Sequence, residues 1–203
     1  MTITGIIDYG AGNLSSVSNS FRAIGTEVRS VRAAADLDGL THLVLPGVGA
    51  FGDCSRALHE QGLADVIRAW IAADKPFLGI CIGYQILFDS SEEAPGVPGV
   101  GIFRGQVRRF PETGLKIPHM GWNKVIPRDT GDPIWAGMGE DPYFYYVHSY
   151  YPVPEDESLI AADSTYGTSY AAAIRKGRLI ATQFHPEKSQ LLGMRLLKNF
   201  LTL

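Results

Sequence analysis

The 203-residue sequence lacks the features that mark membrane, secreted and nucleic-acid-binding proteins. No apolar run approaches the ~20 residues that a membrane span requires, and the N-terminal stretch MTITGIIDYG has no basic residue before its short apolar run, unlike a secretory signal. The formal net charge is only −3, which offers no electrostatic footprint for nucleic acid or an anionic membrane. We therefore expect a soluble, cytoplasmic protein with no nucleic-acid and no membrane partner.

Cysteine is also scarce, and the two cysteines, Cys54 and Cys81, form no CxxC pair. An intracellular chain of this size does not need a disulfide, so we expect both to be reduced. No second His or Cys lies near His185 at the spacing of a metal site. The sequence therefore predicts neither a metal nor another cofactor.

The N-terminal half alternates short apolar runs with segments of helical periodicity, which is typical of a parallel sheet covered by helices. An apolar stripe predicts a helix from about Asn13 to Ile24, and one long helix is expected to end near Ala73, before the strand PFLGI. The C-terminal half has short aromatic runs, and RKGR predicts a turn between antiparallel strands. Residues 1–203 are thus predicted to form a single three-layer α/β domain with a mixed, mostly parallel sheet.

The stretch LVLPGVGAFG contains a GxGxxG pattern, Gly47, Gly49 and Gly52, after an apolar run that is predicted to be a strand. A dinucleotide site would also need an acidic residue about 20 positions further on, at the end of the next strand, to bind the ribose. Cys81 fills that place, and the nearby Asp74 comes before the strand. We therefore interpret the glycines as residues that expose backbone N–H groups at the end of a strand.

Cys81 stands in GICIGYQ, with Gly79 and Gly83 two residues before and after it. This is the spacing of a nucleophile elbow, a sharp strand-to-helix turn whose flanks approach so closely that only small residues fit. The turn places the sulfur at a helix N-terminus, where free N–H groups and the helix dipole favour the thiolate. Cys81 is thus predicted to be a nucleophile. The alternative, a buried cysteine that acts as a small hydrophobe, is the interpretation that suits Cys54.

A thiolate that attacks an amide needs a proton donor for the departing amine, and histidine is the usual choice. Among the five histidines, His185 has the chemical context, because it ends a predicted strand in ATQFHPEKSQ with Glu187 two residues on. If the chain stays extended there, as Pro186 favours, the carboxylate can reach the imidazole. We predict a Cys81–His185–Glu187 triad; the alternatives for His185 are a surface ion pair and a lone metal ligand.

The PGVG loop follows the strand that we expect to neighbour the Cys81 strand. Its exposed N–H groups, that of Gly49 above all, can then share an oxyanion with the N–H of Ile82. The loop is therefore predicted to be catalytic backbone and not a phosphate cradle.

Together, GICIGYQ and HPE resemble the cysteine elbow and the His–Glu pair of the class I glutamine amidotransferases. Further segments resemble one branch of that family: DYGAGN, LPGVGAFG, PHMGWN, VHSYY and FHPEKSQ. The resemblance implies a flavodoxin-like sheet and hydrolysis of L-glutamine to glutamate and ammonia through a thioester on Cys81. It also implies a heterodimer with a separate (β/α)₈-barrel cyclase subunit that receives the ammonia. Four residues match positions that bind glutamine in the family: Gly49, Gln85, Ser149 and Tyr150.

Four further residues match positions at the family's subunit interface: Asn13, Trp122, Tyr145 and Lys188. Taken without the resemblance, the aromatic residues would be interpreted as sheet packing, because aromatic strands usually bury their rings. Lys188 would be interpreted as a solvated lysine.

Three other functions remain open from the sequence. They are another class I amidotransferase, a stand-alone cysteine hydrolase, and a non-enzymatic sensor domain whose elbow cysteine is oxidised instead of acylated.

Overall fold

The computed structural model describes residues 2–11 and 13–203, which form β-strands, α-helices and the turns between them. The strands are β1 (Ile3–Ile7), β2 (Glu27–Val31), β3 (His42–Leu45), β4 (Phe77–Ile80), β5 (Phe88–Ser91), β6 (Phe103–Arg109), β7 (His119–Lys124), β8 (Ile126–Pro127), β9 (Tyr143–His148), β10 (Tyr150–Pro154), β11 (Ile160–Thr165), β12 (Ser169–Lys176) and β13 (Leu179–Thr182). The α-helices are α1 (Leu14–Ala23), α2 (Phe51–Glu60), α3 (Leu63–Ala72), α4 (Ile82–Gln85) and α5 (Gln190–Phe200).

An eight-stranded sheet forms the centre of the fold, in the order β2-β1-β3-β4-β13-β12-β11-β8. Neighbouring strands are parallel from β2 to β13 and antiparallel from β13 to β8. Every residue of β3 and β4 is buried, as expected of parallel strands that are covered on both faces. The predicted α/β fold with a mixed, mostly parallel sheet is confirmed, as is the RKGR turn between β12 and β13.

The helix predicted from about Asn13 to Ile24 is present as α1, whereas the long helix expected before Ala73 is not formed as one helix. Val17 and Phe21 of the apolar stripe in α1 are buried against the sheet. Helix α5 also packs on the sheet, with Leu196 and Phe200 buried. The prediction of one long helix before Ala73 is wrong, because α2 and α3 are separate helices. Gly62 lies between them with a left-handed φ of 70°, a conformation that glycine adopts readily and that breaks the helical path.

Two smaller sheets pack beside the central one: β10-β6-β5, and the antiparallel pair β7-β9, here called the aromatic sheet. Successive side chains of a strand point to opposite faces. On β9, Phe144 and Tyr146 therefore point inward and are buried, whereas Tyr143 is exposed. On β7, Met120 and Trp122 share that outer face and are exposed as well.

Three neighbouring parallel strands end at the same edge of the central sheet and bring the predicted site together. Strand β3 leads into the PGVG loop, β4 into Cys81, and β13 into the segment that contains His185. Ligand sites of open α/β sheets form at this carboxyl edge. Within residues 2–11 and 13–203, no helix is long and apolar enough to cross a bilayer.

Candidate active site

The turn at Cys81 has the strained geometry of an elbow. Cys81 has φ 54° and ψ −107° between β4 and α4, a positive φ that is rare for a residue other than glycine. A Cβ at Gly83 would lie 2.0 Å from the carbonyl oxygen of Leu45, and a Cβ at Gly79 would lie 2.8 Å from the carbonyl oxygen of Gly83. The two glycines are therefore required by close packing. Helix α4 has only 4 residues, so its dipole adds less to the stability of a thiolate than a full helix would.

His185 and Glu187 form a buried pair. The imidazole Nδ1 lies 2.8 Å from Oε1 of Glu187, and each side chain is only 1% exposed. The expected extended chain is wrong beyond His185, because Pro186–Lys188 is a 3₁₀ turn. Proline has a fixed φ that suits the first position of a helical turn, so the carboxylate reaches the imidazole across this turn.

The charge on His185 is favoured by its two neighbours. Burial by itself disfavours the imidazolium, but a thiolate at Cys81 and then the carboxylate of Glu187 outweigh burial and raise the pKa of His185 to about 10. The Nε2 atom has no hydrogen-bond partner in the described part of the chain. At neutral pH, His185 is therefore a cation beside the sulfur, with one N–H still available.

The turn that carries His185 is fixed to the backbone of β9. The N–H of His185 donates to the carbonyl oxygen of Tyr145 at 2.9 Å. The N–H of Tyr145 donates to Oγ of Ser189 at 2.9 Å, and that hydroxyl donates to the carbonyl oxygen of His185 at 2.6 Å. These three hydrogen bonds close a ring, so the position of the imidazole depends on β9.

The PGVG loop packs directly on the elbow, since a Cβ at Gly47 would lie 2.5 Å from the backbone N of Gly83. Gly49 has φ 107°, a value that favours glycine. Within residues 2–11 and 13–203, the N–H groups of Gly49 and Ile82 donate to no backbone or side-chain acceptor. Both remain available to an oxyanion.

Two buried residues support this loop from beneath. The hydroxyl of Tyr9 donates to the carbonyl oxygen of Pro46 at 3.0 Å, and Sγ of Cys54 lies 3.6 Å from the carbonyl oxygen of Val48 as a thiol donor. Burial raises the pKa of the Cys54 thiol, so it stays protonated at neutral pH. Cys54 is therefore a structural cysteine, which agrees with its interpretation as a small buried hydrophobe.

A cavity of about 630 Å³ opens above Cys81. Its lining includes eight of the residues that the sequence singles out: Asn13, Gly49, Cys81, Ile82, Ser149, Tyr150, His185 and Lys188. Glu93 also lines it and is the one carboxylate among the described lining residues; its Oε2 accepts the N–H of Phe51 at 2.7 Å. Sequence reasoning missed Glu93, because nothing in its segment distinguishes it from the adjacent Glu92.

A second cavity of about 620 Å³ lies at the opposite edge of the sheet, beside Lys75 and Gly177. No cysteine or histidine lines it in the described part of the chain, so the chemistry belongs to the first cavity. Residues 2–11 and 13–203 contain no group of three or more His, Cys, Asp or Glu side chains that could hold a metal ion.

Gln85 lies behind the cavity lining and is only 1% exposed. Its Nε2 donates to the carbonyl oxygen of Tyr150 at 2.9 Å and to Oε1 of Gln183 at 3.0 Å. The Oε1 atom of Gln85 has no partner in the described part of the chain. A buried acceptor without a donor is costly, so this atom suits a donor that a ligand would bring.

Two buried histidines connect the aromatic sheet to the cavity. His148 Nδ1 donates to the carbonyl oxygen of Tyr150 at 2.9 Å, so its Nε2 must accept from Nδ1 of His119, also at 2.9 Å. Burial lowers the pKa of His119 to about 4 and that of His148 to about 3. Both rings are neutral at pH 7 and serve as hydrogen-bonded supports, a role that sequence reasoning did not identify.

Three of the four predicted interface residues are contiguous on the outside of the aromatic sheet. Trp122 is 46% exposed, and its ring centroid lies 6.3 Å from that of Tyr145, in a T-shaped arrangement. The Nζ atom of Lys188 lies 5.9 Å from the Tyr145 ring. Asn13 lies apart from these rings, in the lining of the cavity. The interpretation of the aromatic residues as sheet packing holds for the inner face, which Phe144 and Tyr146 occupy.

The elbow, the His–Glu pair and the sheet topology are those of a class I glutamine amidotransferase, and residues 5–203 match that family, described as glutamine amidotransferase class-I. The chain belongs to this family. Among its relatives, the imidazole glycerol phosphate synthase subunit HisH of Acinetobacter baylyi is 46% identical over 201 residues, which cover 98% of each chain. The protein of the same name from Methylococcus capsulatus is 47% identical over 211 residues, covering 99% of this chain and 96% of the relative.

A likeness to solved structures supports the fold. A chain in the structure of PurLQS from Thermotoga maritima superimposes with a TM-score of 0.78, covering 99% of this chain and 98% of its own length. The two are 20% identical, so this likeness concerns the fold and carries no conclusion about substrate.

Proposed function

We propose that the chain is the glutaminase subunit of an imidazole glycerol phosphate synthase. In this proposal it hydrolyses L-glutamine and passes ammonia to a (β/α)₈-barrel cyclase subunit, which makes imidazole glycerol phosphate and an aminoimidazole carboxamide ribotide for histidine biosynthesis. The identity to HisH subunits over nearly the whole length supports this assignment. The observation that carries the chemistry is the strained Cys81, which shares one cavity with a buried, charged His185.

In the first half of the reaction, the thiolate of Cys81 attacks the γ-carboxamide carbon of glutamine. The carbonyl oxygen becomes an oxyanion, which accepts from the N–H groups of Gly49 and Ile82. The imidazolium of His185 gives its proton to the departing nitrogen, and ammonia leaves as the γ-glutamyl thioester forms. A pKa raised to about 10 supplies that proton at neutral pH.

In the second half, His185 is neutral and takes a proton from a water molecule. The resulting hydroxide attacks the thioester carbonyl, and the sulfur leaves as the thiolate beside the re-formed imidazolium. Glu187 fixes the imidazole tautomer through the 2.8 Å hydrogen bond to Nδ1 and stabilises the cation. No step requires a metal or another cofactor.

The cavity also offers groups that suit the amino-acid end of glutamine. Ser149 and Tyr150 line it, as the predicted glutamine site requires. Behind this lining, Gln85 contacts Tyr150 through its Nε2, and its Oε1 has no partner in the described part of the chain. The carboxylate of Glu93 complements the α-ammonium group of the substrate by charge. We assign these four residues to substrate binding, together with Gly49.

The outer face of the aromatic sheet is proposed as the docking surface for the cyclase. Met120, Trp122 and Tyr143 expose large apolar side chains there, and such a patch marks a protein interface. Lys188 and Asn13 line the glutamine cavity as well, so the proposed interface lies close to the place where ammonia is released. We also propose that residues 1–203 act as one domain in the cytoplasm.

The test is ammonia release from glutamine, with and without the cyclase. The native chain with the cyclase should release ammonia, and Cys81→Ala should reduce release by at least about 10⁴-fold. Glu187→Gln should lower kcat by about 10²- to 10⁴-fold, while Glu112→Gln is a matched control whose carboxylate is 89% exposed. We expect much lower turnover without the cyclase, because free glutaminase would waste glutamine. High turnover by the isolated chain would contradict that coupling.

A glutamine-analogue electrophile separates this proposal from the alternatives. It should label Cys81 and leave Cys54 unmodified, because Cys54 is buried beneath the PGVG loop. If peroxide oxidises Cys81 while glutamine and its analogues leave it unchanged, the chain is a sensor and the glutaminase assignment is wrong.

A further inference from the structure

Gln183 is a fully buried carboxamide in contact with the nucleophile. It follows β13, two residues before His185, and its side chain has no solvent exposure. Its Nε2 lies 3.6 Å from Sγ of Cys81, although 102 positions separate the two residues in the chain. Neither the triad nor the oxyanion hole uses this amide group.

The hydrogen-bond network fixes which end of the Gln183 amide faces the sulfur. The carbonyl oxygen of Tyr150 can only accept, so the part of Gln85 that lies 2.9 Å from it must be the NH₂ group. That same NH₂ group lies 3.0 Å from Gln183, so the Gln183 atom that faces it must be the carbonyl oxygen. The NH₂ group of Gln183 is left facing Cys81, and its N–H donates to the sulfur.

The backbone holds both partners of this contact in place. The N–H of Cys81 donates to the carbonyl oxygen of Thr182 at 2.8 Å, and the N–H of Gln183 donates to that of Ala172 at 2.8 Å. The amide therefore has a fixed position relative to the elbow. A donor held in position at an anion needs no reorganisation when charge develops there.

We propose that Gln183 is a further catalytic residue, whose amide N–H stabilises the Cys81 thiolate before attack and again when the thiolate leaves the thioester. This inference rests on the proposed function for its place in the reaction. Unlike His185, Gln183 carries no proton that the reaction consumes, so its hydrogen bond is available in both halves. An N–H···S⁻ bond to a charged, buried sulfur favours the thiolate over the thiol.

Several titratable groups surround the sulfur in the described part of the chain, and Glu93, His148 and Lys188 line the same cavity. His185 and Glu187 come from the turn after β13, Tyr9 follows β1, and Cys54 comes from α2. Burial raises the pKa of both Tyr9 and Cys54, so both are neutral below pH 8. Because the Gln183 variants leave all of these groups in place, a change in the pH profile of Cys81 reactivity reports the change at residue 183.

The test is the pH dependence of Cys81 alkylation by iodoacetamide, located by mass spectrometry. Gln183→Met has a similar length and no N–H donor, and we expect it to raise the midpoint of the profile by about one to two pH units. Gln183→Glu keeps the shape and places a carboxylate beside the sulfur, so its midpoint should rise at least as much. Gln106→Glu, the same change on β6 at a half-buried position, should leave the midpoint unchanged.

Thermal unfolding identifies which Gln183 variant is folded, and the folded one is used. If the folded Gln183→Met or Gln183→Glu variant has the same alkylation midpoint as the wild-type protein, the inference is wrong. The measurement needs no glutamine, so it is separate from the glutaminase test. A native chain that fails to hydrolyse glutamine but shows the shift would contradict the proposed function and still support the contact between Gln183 and the thiolate.

Discussion

The protonation of His185 should depend on the sulfur of Cys81 more than on the carboxylate of Glu187. Burial is the largest single influence on the pKa of His185, and it lowers the value. The charge on Cys81 is the largest influence that raises the pKa, and the carboxylate of Glu187 raises it further. Together they raise this pKa from 6.5 to about 10, with the sulfur as the larger cause.

Cys81→Ala removes the charge that the sulfur places beside the imidazole. We expect the pKa of His185 to fall by about one to three pH units, the usual effect of losing an adjacent opposite charge, which corresponds to about 1.4–4 kcal/mol of lost coupling. The assay is an NMR titration of imidazole resonances in protein labelled at histidine, with the His185 signal assigned by His185→Gln. Cys54→Ala is the control, because Cys54 does not contribute to the pKa of His185.

The stability of the protein should change in parallel. The folded pKa of His185 is raised above that of the unfolded chain, so its contribution is complete below pH 6.5 and is lost as the pH rises toward 10. In Cys81→Ala, this loss should occur at lower pH. A His185 signal that titrates near pH 10 in both proteins would show that the sulfur does not hold the proton, and it would refute the reasoning.

Other predictions concern the elbow, acid stability and docking. Gly83→Ala should destabilise the fold by about 1–3 kcal/mol or more, because its Cβ would lie 2.0 Å from a backbone oxygen. Urea unfolding measures this loss, and Gly131→Ala is the surface control. Between pH 6.5 and 4, stability should fall by about 1.4 kcal/mol per pH unit for each histidine that burial keeps neutral, and urea midpoints across that range check it. These histidines have pKa values lowered to about 4, 4 and 3: His42, His119 and His148. Trp122→Ala should weaken cyclase binding at least tenfold by calorimetry, whereas Leu191→Ala, exposed elsewhere, should not.

The features that the sequence predicts correctly are those with a local signature. The spacing of Gly79, Cys81 and Gly83 is enough to predict the elbow, since the tight turn itself demands small flanking residues. The two-residue spacing of His185 and Glu187 places them together, although by a 3₁₀ turn and not by an extended strand. Apolar periodicity predicts the sheet and most helices, because burial on one face imposes it.

The features that the sequence does not predict depend on contacts between distant segments. Gln183 contacts Cys81 across 102 positions, and only the pairing of β13 with β4 brings the two together. The hydrogen bond between His119 and His148 likewise depends on the antiparallel pairing of β7 with β9, which makes them direct neighbours. A buried amide or imidazole has no periodic signature, so a single sequence gives no signal for its partner.

The ring of hydrogen bonds that ties His185 and Ser189 to Tyr145 uses only main-chain atoms of Tyr145. Its phenol ring is a separate unit, packed beside Trp122. The backbone of Tyr145 therefore holds the segment that carries His185, while its side chain forms part of the outer face of the aromatic sheet. The outer ring can be exchanged to suit a different partner while the imidazole keeps its anchor, so recognition and chemistry can diverge independently at this position.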